Sequence, residues 1–216
     1  MSELIKRIYT SAVLLPLTLG ALLYAPQWLL ASIIMCILLI ILTTEWPKLF
    51  CYKSLSFWAL MPFYPIAPFL ALIALLTLSR TLVLFLLITV VAHDVGSYCA
   101  GKLWGKHTII PQISPGKTWE GFIGGYCATL LATISFVYLK TGHAQYITLL
   151  FLAALISTTA LIGDLWQSYL KRRVGLKDSG SLLPGHGGLL DRLDALMFVA
   201  LLFYILRAPL YYLFAA

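Results

Sequence analysis

The segment KDSGSLLPGHGGLLDRLDA, residues 177–195, gathers acids, cations and glycines into surroundings that are otherwise apolar. Asp191 and Asp194 stand three apart at the start of a helical pattern and project from one face of it. Asp164, roughly two turns before the basic run Lys171, Arg172, Arg173, offers a carboxylate from a second helix. Carboxylates meeting from two helices make a hard, oxygen-rich site suited to Mg2+ or Mn2+. The alternative is that these aspartates pair with Arg192, Lys171 or Arg172, or cap the helix start. Lys171, Arg172, Arg173 and Lys177 lie in one connection, and the glycines of PGHGG, Gly187 and Gly188 among them, have bare N–H groups that can approach phosphate oxygens just before a helix N-terminus. Cations, a glycine turn, a helix end and paired carboxylates together are equipment for phosphoryl or nucleotidyl transfer. Singly each is weak, since basic loops also report topology and His186 could be a turn residue bonded to backbone.

A second polar stretch, DVGSYCAGKLWGKHTIIPQISPGKTWEGFIGG (residues 94–125), repeats the theme with Asp94, Lys102, Lys106, Ser114, Lys117, Thr118 and Glu120. Its GKT is not a phosphate-binding P-loop, because Pro111 stands where that motif needs glycine and no strand is expected before it. His93 and Asp94 lack the companion histidines of a metal hydrolase. A flexible loop with glycine and lysine, leading into a helix at Trp119, still suits a nucleotide. No Ser–His or Cys–His arrangement suggests a covalent intermediate.

The elements that position these residues must be membrane helices. Of 216 residues, 61% are hydrophobic and 11% charged, and the mean hydropathy is +0.94, which excludes an ordinary water-soluble domain. Long apolar runs argue for helices rather than a barrel. The expectation is an all-α, polytopic membrane bundle of about seven helices, near residues 8–24, 28–44, 56–78, 80–100, 119–139, 146–169 and 189–213. Pro62, Pro65 and Pro68 could kink or break the third. With the N-terminus cytoplasmic, Lys6, Arg7, Lys48, Lys53, Lys102, Lys106, Lys117 and Lys171 to Lys177 share the cytoplasmic side, opposite Arg80 and Lys140. The net charge of +7 then reports topology, or attraction to anionic head groups and phosphates; nothing points to nucleic acid. Cys36, Cys51, Cys99 and Cys127 are scattered, without metal or disulfide spacing, and are expected as small core residues. Of the eight acids, Asp94, Glu120, Asp164, Asp191 and Asp194 converge on one membrane surface. Acids at membrane depth are costly and usually line a cavity, pair, or bind a cation.

The run SYLKRRVGLKDSGSLLPGHGGLLDRLD, with Ser168, Lys171, Arg172, Lys177, Asp178, Gly180, Pro184, His186, Gly187, Gly188, Asp191, Arg192 and Asp194, resembles the signature of the phosphatidate cytidylyltransferase (CDP-diacylglycerol synthase) family. SPGKTWEGFIGG is similar to a second block of that family, and EWPKLF at 45–50 to a third. The resemblance implies one membrane-embedded catalytic domain over 1–216, with N-terminal helices over 1–92 shortened relative to the family, motifs over 93–195 and a last membrane helix over 189–213. It implies CTP and phosphatidate as substrates, CDP-diacylglycerol and pyrophosphate as products, and a bacterial-type inner membrane with a cytoplasmic active site. A homodimer is the usual family state. It assigns Asp164 and Asp191 to Mg2+ or Mn2+, with room for a second cation. Lys171, Arg172, Lys177, His186 and Arg192 would hold phosphates, and Asp178 and Asp194 would orient those cations. Ser114, Lys117, Thr118, Glu120, Gly187, Gly188 and Asp94 would bind substrate. A CTP-dependent polyprenol or lipid kinase, and a non-enzymatic transporter or lipid-binding protein, are the rival expectations.

Overall fold

The computed structural model describes residues 16–143, 145–180, 182 and 187–215. Residues 16–24 are helical (α1). Pro26 then leads into α2, Gln27–Ile40, which continues through a π-helical turn, Ile41–Glu45, into α3, Trp46–Leu49. After a short loop, α4, Leu55–Leu60, and α5, Ala67–Leu78, are joined by a second π-helical turn, Pro62–Ile66. The long helices α6, Arg80–Trp104, α7, Trp119–Thr141, and α8, Tyr146–Arg173, follow. Between α6 and α7 lie two short strands, β1, Thr108–Ile110, and β2, Ser114–Thr118. The last elements are α9, Leu190–Ile205, and α10, Arg207–Ala215.

Among the described residues five stretches are long and apolar enough to cross a membrane: Gln27–Leu49, Leu55–Leu78, Arg80–Trp104, Trp119–Thr141 and Tyr146–Arg173. The bent pair α9 and α10 makes a sixth if counted as one span. At 1.5 Å per residue, stretches of 23 to 28 residues match a hydrocarbon core of about 30 Å. The protein is therefore a polytopic helical membrane protein. The expected first span at 8–24 falls largely outside the described residues, so the count of seven and the side of the N-terminus remain expectations from sequence.

The proline-bearing third run, expected over 56–78, spans Leu55–Leu78 without breaking, and three other local expectations change. The π-helical turn at Pro62–Ile66 absorbs the amide and the space that Pro65 removes, and one helix of 24 residues results. The last span is not continuous over 189–213: α9 and α10 meet at 80°. Pro209 near the start of α10 lacks an amide, and its ring would clash with the carbonyl four residues earlier in a straight helix. A β-hairpin contains the GKT residues in its second strand, where no strand was expected before them, pairing Thr108 with Thr118 and Ile110 with Ser114. All four cysteines are free and exposed, not core. In a bilayer the outer surface is itself apolar, so burial preferences learned in water do not place them.

The same inversion explains the outward ring of large apolar residues, such as Leu131, Leu139, Ile147 and Phe151. Inside, Phe85 stacks among Phe136, Phe203 and Phe214 toward the end where α6 begins. Toward the other end, fully buried Trp46 packs on Phe50, Phe57 and Tyr64. This second cluster lies beneath the polar connections.

Candidate active site

Close helix contacts decide which side chains meet. A methyl group on Gly96 of α6 would stand 2.7 Å from the Gly124 carbonyl oxygen and 2.5 Å from Ala128 Cβ of α7, so these helices touch through backbone. A methyl on Gly163 of α8 would lie 2.6 Å from the Asp194 carbonyl oxygen of α9. Asp164, next to Gly163, thereby faces the first turn of α9. The Thr118 hydroxyl accepts from Gly121 N at 3.1 Å, capping α7 and fixing where β2 ends. That junction projects Lys117 inward.

The result is a cavity of about 360 Å3 enclosed by α6, β2, α7, α8 and α9, within the range of small-ligand sites. Seven residues expected from sequence share its wall: Asp94, Lys117, Thr118, Asp164, Asp191, Arg192 and Asp194. Ser168 joins them, as do His93, Ser97 and Tyr98, to which the sequence reading gave no role. Four acidic side chains thus face Lys117 and Arg192.

Two lysine–carboxylate pairs organise it. Lys117 Nζ donates to Asp164 Oδ2, bridging the hairpin to α8. Burial opposes the charge on Lys117, but Asp164 beside it outweighs burial and holds its pKa above the ordinary lysine value. Lys171 Nζ donates to Asp191 Oδ1 at 2.8 Å, joining the last turn of α8 to the first of α9. Asp191 is held from every side. Gln167 Nε2 also reaches Oδ1 at 3.4 Å, while Ser179 N and Gly188 N donate to Oδ2 at 2.7 and 3.3 Å. Gln167 in turn accepts from Tyr64 OH at 2.7 Å, which ties the site to the aromatic cluster below.

The other expected residues lie around this wall, not on it. Glu120 accepts from Lys106 N at 3.1 Å, His107 N at 3.2 Å and His107 Nδ1 at 2.6 Å, closing the hairpin onto the start of α7. Arg172 Nε donates to the Ile113 carbonyl at 3.3 Å, so it braces the hairpin, and Ser114 lies in β2. Lys177 and Asp178 are exposed, and Gly187 adopts a left-handed φ of 83° in the turn that returns toward Asp191. His186 and Pro184 lie outside the described residues.

Glu45 had no assigned role. It is fully buried and accepts from Ser179 Oγ at 2.7 Å, Leu189 N at 2.7 Å and Leu190 N at 2.9 Å. Its signal in sequence was an acid at the close of an apolar run, where an ionisable side chain demands partners.

A family model described as cytidylyltransferase family matches residues 4–210. A phosphatidate cytidylyltransferase from Helicobacter pylori (strain ATCC 700392 / 26695) is 46% identical over 158 residues, 72% of this chain and 57% of that protein. One from Mycobacterium bovis (strain ATCC BAA-935 / AF2122/97) is 48% identical over 112 residues, 52% of this chain and 36% of that protein. Another, from Staphylococcus aureus (strain COL), is 44% identical over 124 residues, 57% of this chain and 48% of that protein. The chain therefore spans about half the length of the relatives it matches, or less. With the matched residues covering nearly all of the sequence, this chain belongs to the cytidylyltransferase family.

Proposed function

We propose that this protein transfers the cytidylyl group of CTP to phosphatidate, giving CDP-diacylglycerol and pyrophosphate, at the cytoplasmic surface of a bacterial inner membrane. The observation that carries the reading is the cavity itself. Four carboxylates and Arg192 converge there from helices of a membrane bundle, with Lys117 reaching in from a glycine-bearing hairpin. A lipid phosphate and a soluble nucleotide can meet only at such a surface.

In this reaction a phosphate oxygen of phosphatidate attacks the α-phosphorus of CTP. The bond from that phosphorus to the bridging oxygen breaks, and its electron pair leaves with pyrophosphate. No side-chain nucleophile is required. The chain's task is alignment and charge compensation. Lys117 and Arg192 face the cavity and can engage phosphate oxygens.

The donor set also fits a hard divalent cation. Among the described residues no three Asp, Glu, His or Cys side chains form a ready cage. Mg2+ is typically held by one or two carboxylates together with substrate phosphates, so a cage is not needed. Asp164 and Asp191 are the carboxylates that would hold it, each now bearing a lysine ammonium as its positive partner. When bound, Mg2+ or Mn2+ would neutralise charge developing on the phosphates. Asp94 and Asp194, on the same wall, supply carboxylates for a second cation.

The test uses purified detergent-solubilised protein with phosphatidate, Mg2+ and CTP labelled separately at the α- and γ-phosphates. Label from the α position in lipid supports the reading. Lipid labelled from the γ position makes the protein a kinase, and no labelling from folded protein removes the enzymatic assignment.

A further inference from the structure

The helix α9 begins without a local cap. Its N-cap position is Leu189, an aliphatic residue whose side chain cannot accept from the free amides of the first turn. Those amides are met by Glu45, 145 residues away in sequence from Leu190: Leu189 N donates to Oε1 and Leu190 N to Oε2. The same Oε2 accepts from Ser179 Oγ at 2.7 Å. Glu45 therefore ties Ser179, within the glycine-bearing connection between α8 and α9, to Leu189 and Leu190, where that connection enters α9. A methyl on Gly180 would fall 2.9 Å from Glu45 Oε1, and one on Gly188 would fall 2.8 Å from Oε2, so backbone must pass this close to the carboxylate.

A second carboxylate, Asp191, holds the same stretch: its Oδ2 accepts from Ser179 N and Gly188 N. The connection is held by two carboxylates, one fully buried and one at the cavity wall. Among the described residues Glu45 makes no hydrogen bond to a residue that lines the cavity, so its influence on chemistry runs through Ser179 and the backbone of 188–190, which carry the amides that hold Asp191.

We propose that Glu45 is a positioning residue for the cavity: it sets the height and angle of the first turn of α9 and so holds Asp191, with Lys171, in register with Asp164. This rests on the cytidylyl-transfer reading for its activity arm but not for its structural arm.

Glu45→Gln preserves volume but presents an NH2 group to an amide donor whichever way it turns, because Leu189 N and Leu190 N face different oxygens. Hydrogen exchange followed by mass spectrometry on the detergent-solubilised full chain should show at least tenfold faster exchange in peptides covering 177–192, with peptides of α6 and α7 unchanged. The kcat for lipid labelling from α-labelled CTP should fall about a hundredfold, the scale of a misplaced reacting group, with KM for CTP changing less than threefold. Ser179→Ala removes one donor to Glu45 and should move both readouts the same way by a smaller factor; it decides the matter if Glu45→Gln does not fold. Unchanged exchange in 177–192 overturns the proposal whatever the activity, as does faster exchange there with kcat intact. If wild-type protein transfers no label, the cytidylyl-transfer reading fails, and the exchange result alone decides whether Glu45 holds the connection.

Discussion

The two lysine–carboxylate pairs at the cavity are alike in composition and opposite in construction. Asp164 pairs with a lysine carried on a short hairpin, whose side chain is 34% exposed. Asp191 pairs with a helix-borne lysine that is 12% exposed, and three further donors share its oxygens. The first pair can open by moving one side chain toward water. Opening the second disturbs a network that includes Gln167, Tyr64 and the connection between α8 and α9. Among the described residues Asp164 bonds to Lys117 and is available for ligand, whereas Asp191, with four donors, also holds the scaffold.

Asp191→Asn is expected to have the largest effect. Donors surround both oxygens, so the new NH2 group faces a donor in either orientation, and Lys171 loses its counter-charge in a nearly closed site. The cost should be about 3 kcal/mol, read as a lower thermal midpoint in detergent, with lipid labelling from α-labelled CTP falling about a thousandfold. Asp164→Asn comes next: labelling should drop about a hundredfold while stability changes by less than about 1 kcal/mol, because Lys117 can reach water and the repulsion among neighbouring carboxylates is relieved. Gly163→Ala is expected to sit between the pairs. Its methyl meets the Asp194 carbonyl oxygen at 2.6 Å and must push α9 away from α8, costing about 1–2 kcal/mol and lowering labelling about tenfold as the two carboxylates lose register. Glu120→Gln should have the smallest effect. Exchange should quicken at the Lys106 and His107 amides it now holds, while labelling stays within about twofold because Glu120 is not part of the cavity wall.

Much of this was legible in residue order. The span limits of α2 and of α6 to α8 follow from runs of apolar residues between polar or proline-bearing breaks, and the acids that share the cavity were visible as acids set in α6, α8 and the start of α9. What could not be read was how acids are satisfied. The spacing of Asp164 and Asp191 allowed metal binding or pairing with lysine, and only the fold brings Lys117, 47 residues before Asp164, into contact with it. Glu45 was hidden for the same reason: its partners lie more than 130 residues ahead. The hairpin escaped because its strands are three and five residues long, with Pro115 in the second, too short for an alternating pattern. The bend before α10 was signalled by Pro209, which apolar composition alone overrode.

The decisive measurement sets Asp164→Asn beside Asp191→Asn in one detergent preparation, recording thermal midpoint and α-label transfer from CTP to phosphatidate for each. Both variants should lose transfer, and only Asp191→Asn should lose stability. Equal loss of stability in the two, or transfer that survives in Asp164→Asn, would contradict this division of roles between the two aspartates.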